Sequence, residues 1–168
     1  MCDNFDQLQI AIRTLSAAST IYFDCEGYEL GRTDGRLAII SMGAIEKEQG
    51  EERLSTFLID VLAFQGKRKK KQLIPIFDII QSSTIVKVVF DGRSDASELL
   101  HGSNVTLRRV VDLQIADITS RKQRGETTLR RLERLRGFLP RREIEENASL
   151  LRQVQRLNGL ISALVEHG

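Results

Sequence analysis

The chain has 168 residues, of which 41% are hydrophobic, 29% charged and 5% aromatic, with two cysteines and a formal net charge of +2. This length suits a single domain whose core needs no disulfide or structural metal. The first residues are polar, and no apolar run approaches the ~18 residues of a membrane span, so we predict neither secretion nor membrane insertion. Two thiols, one in a predicted strand, favour a reducing intracellular compartment, the cytoplasm or the nucleus.

The first part of the chain is predicted to form one helix and then three strands. Apolar residues recur every three or four positions at Phe5, Leu8, Ile12 and Leu15, which is typical of an amphipathic helix. Runs rich in apolar and β-branched residues then predict strands at Ile21–Phe23, Leu37–Ala44 and Phe57–Val61. Glycines mark the turn between the first two strands, at Gly27, Gly31 and Gly35. The order of these strands indicates a meander.

Helices and strands are predicted to alternate in the next part of the chain. The predicted elements are a basic loop at Gln65–Gln72, a helix at Leu73–Ile80, a strand at Thr84–Phe90, a helix at Ser94–Leu100 and a strand at Leu107–Leu113. Beyond Leu113 we predict only helices. We therefore expect an α/β fold with a mixed five-stranded sheet and flanking helices. It would form one domain over residues 1–168, with a sheet core at 1–113 and a helical part at 114–168.

Asp24 and Glu26 follow an apolar strand and are separated by one residue. Because side chains alternate along a strand, both carboxylates should share one face, and Cys25 should face the other way. Carboxylate oxygens suit a hard cation such as Mg²⁺ or Mn²⁺, and Gly27 would let a substrate approach. On this pair alone two interpretations remain open: a metal site, or acids that keep an exposed strand end solvated.

A second acidic segment, Lys87–Asp95, passes from a buried strand through a turn into a helix. If the first and fourth strands are neighbours, Asp95 would meet Asp24 and Glu26 around one metal. The alternative is a helix capping box formed by Asp95 and Glu98, which would satisfy backbone amides and bind no ligand.

Asp112 ends a strand in a third segment, Val110–Ala116, where capping of the next helix is favoured over metal ligation.

Taken in order, the segments Phe23–Gly27, Phe90–Asp95 and Val111–Gln114 resemble the DEDD superfamily of 3′-5′ exonucleases. The resemblance is closest to the ribonuclease D-like branch and to eukaryotic exonuclease-domain-containing proteins. It runs from about residue 21 to residue 167, and three ordered matches are more specific than any one of them.

The resemblance implies a ribonuclease H-like fold and hydrolysis of nucleic-acid phosphodiester bonds at a 3′ end with two Mg²⁺ or Mn²⁺ ions. It implies that Asp24 bridges both metals and that Glu26 shares coordination with it and helps orient the attacking water. Asp95 would hold the second metal. Supporting roles near the site are implied for Asp91, Arg93 and Asp112.

The chain departs from the family's pattern at the last motif. The family has an Asp on a late helix, preceded by a Tyr or His that positions the water, whereas no Asp follows Asp117 here. The nearest acids, Glu143, Glu145 and Glu146, lack that companion residue. We expect a chain truncated before the last motif and weak or inactive by itself. The alternative is a catalytically inactive adaptor that binds RNA or protein partners.

Basic residues cluster in two segments, Lys67–Lys71 and Arg121–Arg142, and the second contains nine basic and two acidic residues. A polyanion would need such charge, although a solvated surface is the more usual explanation of a basic run. For the first segment, a surface loop is favoured over a nuclear targeting run. We predict that RNA or single-stranded DNA binds to Arg121, Lys122, Arg124, Arg130, Arg131 and Arg134.

Overall fold

The computed structural model describes residues 1–48 and 51–167, with the backbone alone described at Lys47, Glu48, Lys67 and Arg68. The strands are β1 Thr20–Tyr28, β2 Arg36–Glu48, β3 Glu51–Asp60, β4 Val86–Val89 and β5 Val110–Asp112. The helices are α1 Phe5–Ala17, α2 Lys67–Lys70, α3 Ile74–Gln81, α4 Arg93–Ser103, α5 Leu113–Gln123, α6 Thr128–Arg134, α7 Arg141–Glu146, α8 Ala148–Leu151 and α9 Leu160–His167. Short 3₁₀ helices lie at Leu62–Phe64, Lys71–Leu73 and Leu135–Gly137.

The strands form one mixed sheet in the order β3-β2-β1-β4-β5. β1, β2 and β3 pair antiparallel as a meander, whereas β4 pairs parallel with β1 and β5 pairs parallel with β4. A parallel pair needs a long crossover, and the segment that contains α3 supplies it between β3 and β4. The predicted α/β fold with a mixed five-stranded sheet is confirmed. The first and fourth strands are neighbours, as the predicted site requires.

The sheet belongs to a compact unit that covers Met1–Asp112. Along β1 the residues Ile21, Phe23 and Cys25 are buried and alternate with exposed ones. α1 contacts both β2 and α3. Its spacing of apolar residues buries one stripe of the helix, as the sequence predicts, because burial of apolar surface is the main stabilising contribution. The buried members of that stripe are Leu8, Ala11 and Leu15.

The structure corrects the sequence-based prediction in three places. Phe5 lies on α1 but is 50% exposed, so it is not a core residue. β1 does not turn at Gly27 but continues to Tyr28, because a bulge after Glu26 lets its pairing with β2 resume. The segment Gln65–Gln72 is not a plain loop, since it contains α2 and part of a 3₁₀ helix.

A second compact unit begins at Leu113, and its described elements are all helical, as predicted. Its interior is unusually polar. The polar and charged residues buried there are Gln114, Asp117, Arg121 and Asn158, beside the apolar residues Leu135, Ile144 and Ala163. Among the described residues of the chain, no helix has the length and apolar character needed to cross a membrane.

Candidate active site

Asp24 and Glu26 lie on β1 just beyond its pairing with β4, whose parallel register ends where Tyr22 faces Val88. Both acidic residues are exposed, whereas Cys25 between them is buried. The predicted alternation is therefore confirmed. The two carboxylates share one face near the carboxyl end of β4, the kind of position at which open α/β sheets bind ligands.

Asp95 lies in the first turn of α4, the helix that follows β4. Its side chain is 6% exposed and accepts a hydrogen bond from the backbone N–H of Cys25. This bond joins the start of α4 to the β1 residue between Asp24 and Glu26. Burial, then the charge of Asp24 and less strongly that of Glu26, raise the pKa of the Asp95 carboxyl to about 6. The three acids therefore interact as one electrostatic group.

The capping box considered for Asp95 and Glu98 is not formed. α4 begins earlier than expected, at Arg93, and its N-cap residue Gly92 makes no side-chain cap. Glu98 is buried and accepts a hydrogen bond from the backbone N–H of Gly31, at 3.2 Å, in the turn between β1 and β2. Asp95 therefore does not act as the N-cap of α4.

Asp91, Arg93 and Asp112, the predicted supporting residues, contact one another around the turn between β4 and α4. The backbone of Asp91 is left-handed, with φ of 56°, a conformation that Asp tolerates better than most residues. Its N–H donates to Asp112 Oδ1 over 3.1 Å, and Arg93 Nη2 donates to Asp91 Oδ2 over 2.8 Å. The hydrogen bond from Arg93 holds the pKa of Asp91 below its usual value. These contacts fix the turn that leads to Asp95, and their role in activity stays a prediction.

The chemistry of Asp24, Glu26 and Asp95 fits a hard divalent cation. All three supply carboxylate oxygens, which Mg²⁺ and Mn²⁺ prefer. Burial is the main cause of the raised pKa of Asp95 and repulsion from Asp24 and Glu26 adds to it, and a bound cation would relieve that repulsion. Within residues 1–48 and 51–167, however, no three His, Cys, Asp or Glu side chains already stand so that they could hold a metal ion. Metal binding at these residues stays a prediction.

Three of the six basic residues predicted to bind nucleic acid are exposed, namely Lys122, Arg124 and Arg130. The other three are engaged within the second unit. Arg121 is 2% exposed, which keeps it from a polyanion that runs over the surface. Arg131 donates to the carbonyl oxygen of Arg152, and Arg134 pairs with both Glu126 and Glu166. Nucleic-acid binding is retained as a prediction for the three exposed residues.

Asp117, the last Asp of the sequence, is enclosed in the second unit and is 3% exposed. Its Oδ2 accepts a hydrogen bond from Asn158 over 3.1 Å and lies 3.1 Å from Arg121 Nη2. Its Oδ1 lies 2.8 Å from His167 Nε2. Both carboxylate oxygens are therefore occupied. The pair with Arg121 has the four-residue helical spacing that sequence analysis can detect, whereas Asn158 and His167 carry no local signal.

Comparison with known proteins agrees with this fold. A family model described as 3′-5′ exonuclease matches residues 1–156. Because the match covers most of the chain, the chain belongs to the 3′-5′ exonuclease family. Exonucleases of this family normally use divalent metals. A sequence comparison with curated proteins gives no match.

Solved structures show the same architecture. The EXO domain of Aedes aegypti Nibbler has a TM-score of 0.57 at 16% identity, over 75% of this chain and 56% of that one. Trypanosoma brucei RNase D in complex with RNA U12 has a TM-score of 0.56 at 20% identity, over 98% and 56%. Escherichia coli RNase D has a TM-score of 0.52 at 20% identity, over 99% and 44%. This chain spans about half the length of these proteins, and the similarity shows a ribonuclease H-like fold.

Proposed function

We propose that this chain is an exonuclease domain that hydrolyses phosphodiester bonds from the 3′ end of a nucleic acid, at a site formed by Asp24, Glu26 and Asp95. The supporting observation is that β1 and the first turn of α4 carry these acids near the carboxyl end of β4, in a chain of the 3′-5′ exonuclease family. RNase D of Trypanosoma brucei was solved in complex with RNA, which favours RNA over single-stranded DNA as the substrate here.

The three carboxylates would have different roles at this site. Asp95 is buried and held by the Cys25 amide, so it supplies a carboxylate in a fixed position. Asp24 and Glu26 are exposed, and their side chains are free to adjust to a cation and to the scissile phosphate. Divalent ions bound by these residues would activate a water and stabilise the leaving oxygen.

We propose further that the 168-residue chain is a weak exonuclease by itself. Asp117 is fully engaged inside the second unit, and no Asp follows it. Glu145 and Glu146 pair with Arg141 and Arg142, each over 2.7 Å, on the exposed side of α7. Two-metal hydrolysis depends on carboxylates that fix both ions, so a site with three of four acids should be slower by orders of magnitude.

The test is degradation of single-stranded RNA labelled at the 5′ or the 3′ end, with Mg²⁺, Mn²⁺ or EDTA. We expect slow, metal-dependent shortening from the 3′ end, abolished by Asp24→Asn. The matched control is Asp78→Asn, which removes an exposed carboxyl from α3 and should leave the rate unchanged. Fast degradation by the unmodified chain would contradict the claim of weak activity, and an active Asp24→Asn variant would contradict the assigned site.

The adaptor alternative gives a different result in the same experiment. It predicts no degradation in any metal, together with RNA binding that falls steeply as salt is raised. It also predicts that Asp24→Asn binds RNA as well as the unmodified chain does. That combination would replace the exonuclease proposal.

The proposed location is a reducing compartment, the cytoplasm or the nucleus. Cys2 and Cys25 are both free thiols and both buried, which supports that proposal. Microscopy of a fluorescent fusion would test it, and accumulation of the fusion in an oxidising compartment would contradict it.

A further inference from the structure

The second compact unit contains a charged cavity of about 390 Å³. Ligand pockets typically measure about 300–1,000 Å³, so this cavity has room for a phosphate group and an attached sugar. The charged residues that line it are Arg121, Arg124, Glu126, Arg130, Arg134 and Glu166. Guanidinium groups outnumber carboxylates by two in this set. The cavity is therefore suited to an anion.

The two carboxylates of the cavity are committed to Arg134. Its Nε lies 2.6 Å from Glu126, and its Nη2 lies 2.8 Å from Glu166. Burial opposes ionisation of Glu166, but the hydrogen bonds from Arg134 together with the charges of the surrounding arginines hold the pKa of that carboxyl below its usual value. The carboxylates thus stay charged and fix Arg134 in place. They also lie within ion-pair distance of Arg121 and Arg124, at 3.6 and 3.5 Å, and so offset only part of the positive charge of the lining.

Arg121 has hydrogen-bond donors that remain unused. Its Nη2 donates to the carbonyl oxygen of Arg156 over 2.7 Å, but its buried Nε and Nη1 have no hydrogen-bond partner. Nη1 lies 3.6 Å from Glu126 Oε1, beyond hydrogen-bond distance. Buried donors are rarely left without a partner, because the lost solvation is not recovered. An anion in the cavity would supply the missing acceptors.

Arg124 and Arg130 stand at the exposed part of the cavity lining. Arg124 makes long contacts with Glu166, at 3.3 Å to its backbone oxygen and 3.5 Å to its carboxylate. The guanidinium of Arg130 forms no hydrogen bond or ion pair with any residue that the structure describes. Both side chains are therefore available to close over a ligand.

We propose that this cavity binds a phosphate monoester dianion, such as the phosphate group of a nucleoside monophosphate. Guanidinium groups match phosphate oxygens in geometry and bind them through paired charge-assisted hydrogen bonds. The lining stays positive even after Asp117 offsets the charge of Arg121, so it attracts a dianion more strongly than the single charge of a phosphodiester. No described residue that lines the cavity is aromatic, so the ligand is recognised by its phosphate and not by base stacking.

Isothermal titration calorimetry of the intact chain in EDTA tests this proposal, with inorganic phosphate, adenosine monophosphate, cytidine monophosphate and adenosine as probes. We expect saturable binding of inorganic phosphate and of both nucleotides, with similar affinity for the two nucleotides and none for adenosine. Arg124→Gln and Arg130→Gln should each weaken binding by roughly tenfold or more, the usual effect of losing a charge-assisted hydrogen bond. The matched control, Arg13→Gln, removes an exposed positive charge from α1 and should change nothing.

Several results would overturn the proposal. One is the absence of saturable binding for phosphate and both nucleotides. Another is an equal loss in the Arg13→Gln variant, which would indicate general charge screening. A third is tight binding of single strands that lack a terminal phosphate, without binding of nucleotides. That result would indicate that the surface around the cavity binds an extended polyanion. Arg121→Gln disturbs a buried ion pair, so the test uses the two exposed arginines, with folding checked by circular dichroism.

Discussion

Replacing Asp95 by Asn should stabilise the metal-free chain while removing a proposed metal ligand. The carboxyl has a pKa of about 6, against 3.8 for an unperturbed Asp, since folding buries it beside Asp24 and Glu26. The folded state therefore binds a proton at Asp95 more strongly than the unfolded state does. Asn keeps the shape of the side chain and the oxygen that accepts from the Cys25 N–H, but it carries no charge.

The size of this effect follows from the pKa difference. A change from 3.8 to about 6 is about two pKa units, and each unit corresponds to about 1.4 kcal/mol, so the penalty at neutral pH approaches 3 kcal/mol. Relaxation around the charge lowers this figure, and we expect a gain of about 1–3 kcal/mol for Asp95→Asn. In a chain of this size the gain would raise Tm by roughly 2–4 °C per kcal/mol.

The pH dependence gives the sign of the effect. Well below pH 3.8 the carboxyl is protonated in both states and no penalty exists. As the pH rises through the window from about 4 to about 6, the unfolded state ionises first, so the folded state of the unmodified chain loses stability. The Asn variant lacks this loss. Its advantage should therefore be largest above pH 6 and small near pH 4.

The assay is urea unfolding in EDTA, followed by far-ultraviolet circular dichroism because the sequence has no Trp. Measurements at pH 4.5 and 7.5 lie on either side of the raised pKa of Asp95, which is about 6. A variant no more stable than the unmodified chain at the higher pH would refute the reasoning. A gain of equal size at both values would refute it as well. Added Mg²⁺ should stabilise the unmodified chain more than the variant, as preferential binding to the folded state requires.

The other predictions concern packing, the second unit and the thiols. Gly27→Ala should destabilise the chain by about 2 kcal/mol or more, since a Cβ there would lie 2.1 Å from a backbone carbonyl oxygen of β2; urea unfolding measures this. Asp117→Asn should destabilise the second unit by about 3 kcal/mol, because its buried guanidinium partner loses a counter-charge, and helical signal should disappear at lower urea. Cys2 and Cys25 should react with a disulfide reagent only after unfolding, because burial raises the pKa of both thiols; fast labelling of the native chain would contradict this.

The sheet and the position of the acids could be predicted because their signals are local. Alternation along β1 places Asp24 and Glu26 on one face, and the crossover through α3 makes β4 the parallel neighbour of β1. The start of α4 was less predictable. Asp95 has the residue type of an N-cap, and the sequence does not show that its carboxylate accepts from the Cys25 amide instead. That contact depends on how a helix packs against a strand seventy positions earlier in the sequence.

Lys87 shows a different limit of sequence reasoning. A strand rich in β-branched residues predicts a buried β4, yet its lysine is 0% exposed. The ammonium group donates to the carbonyl oxygens of Ser82 and Ile85, at 2.6 and 2.8 Å, so it satisfies backbone groups just past the end of α3. Burial and, less strongly, the charge of nearby Arg109 together lower the pKa of Lys87 to about 8. The buried charge of Lys87 is therefore explained by the backbone carbonyl groups that follow α3. The spacing of apolar residues in the sequence does not reveal this contact.

The basic segment of the second unit shows why the charge counted in a stretch of sequence overestimates the positive charge available to bind a polyanion. Within Arg121–Arg142 the sequence counts nine basic and two acidic residues. Folding then brings in Glu166, 32 positions after Arg134, and places Arg121 against Asp117, which precedes the segment. Glu166 and Asp117 neutralise part of the positive charge and hold the arginines that they contact in fixed positions. The result is a small number of arginines around one cavity, an arrangement that suits a single compact anion better than an extended strand.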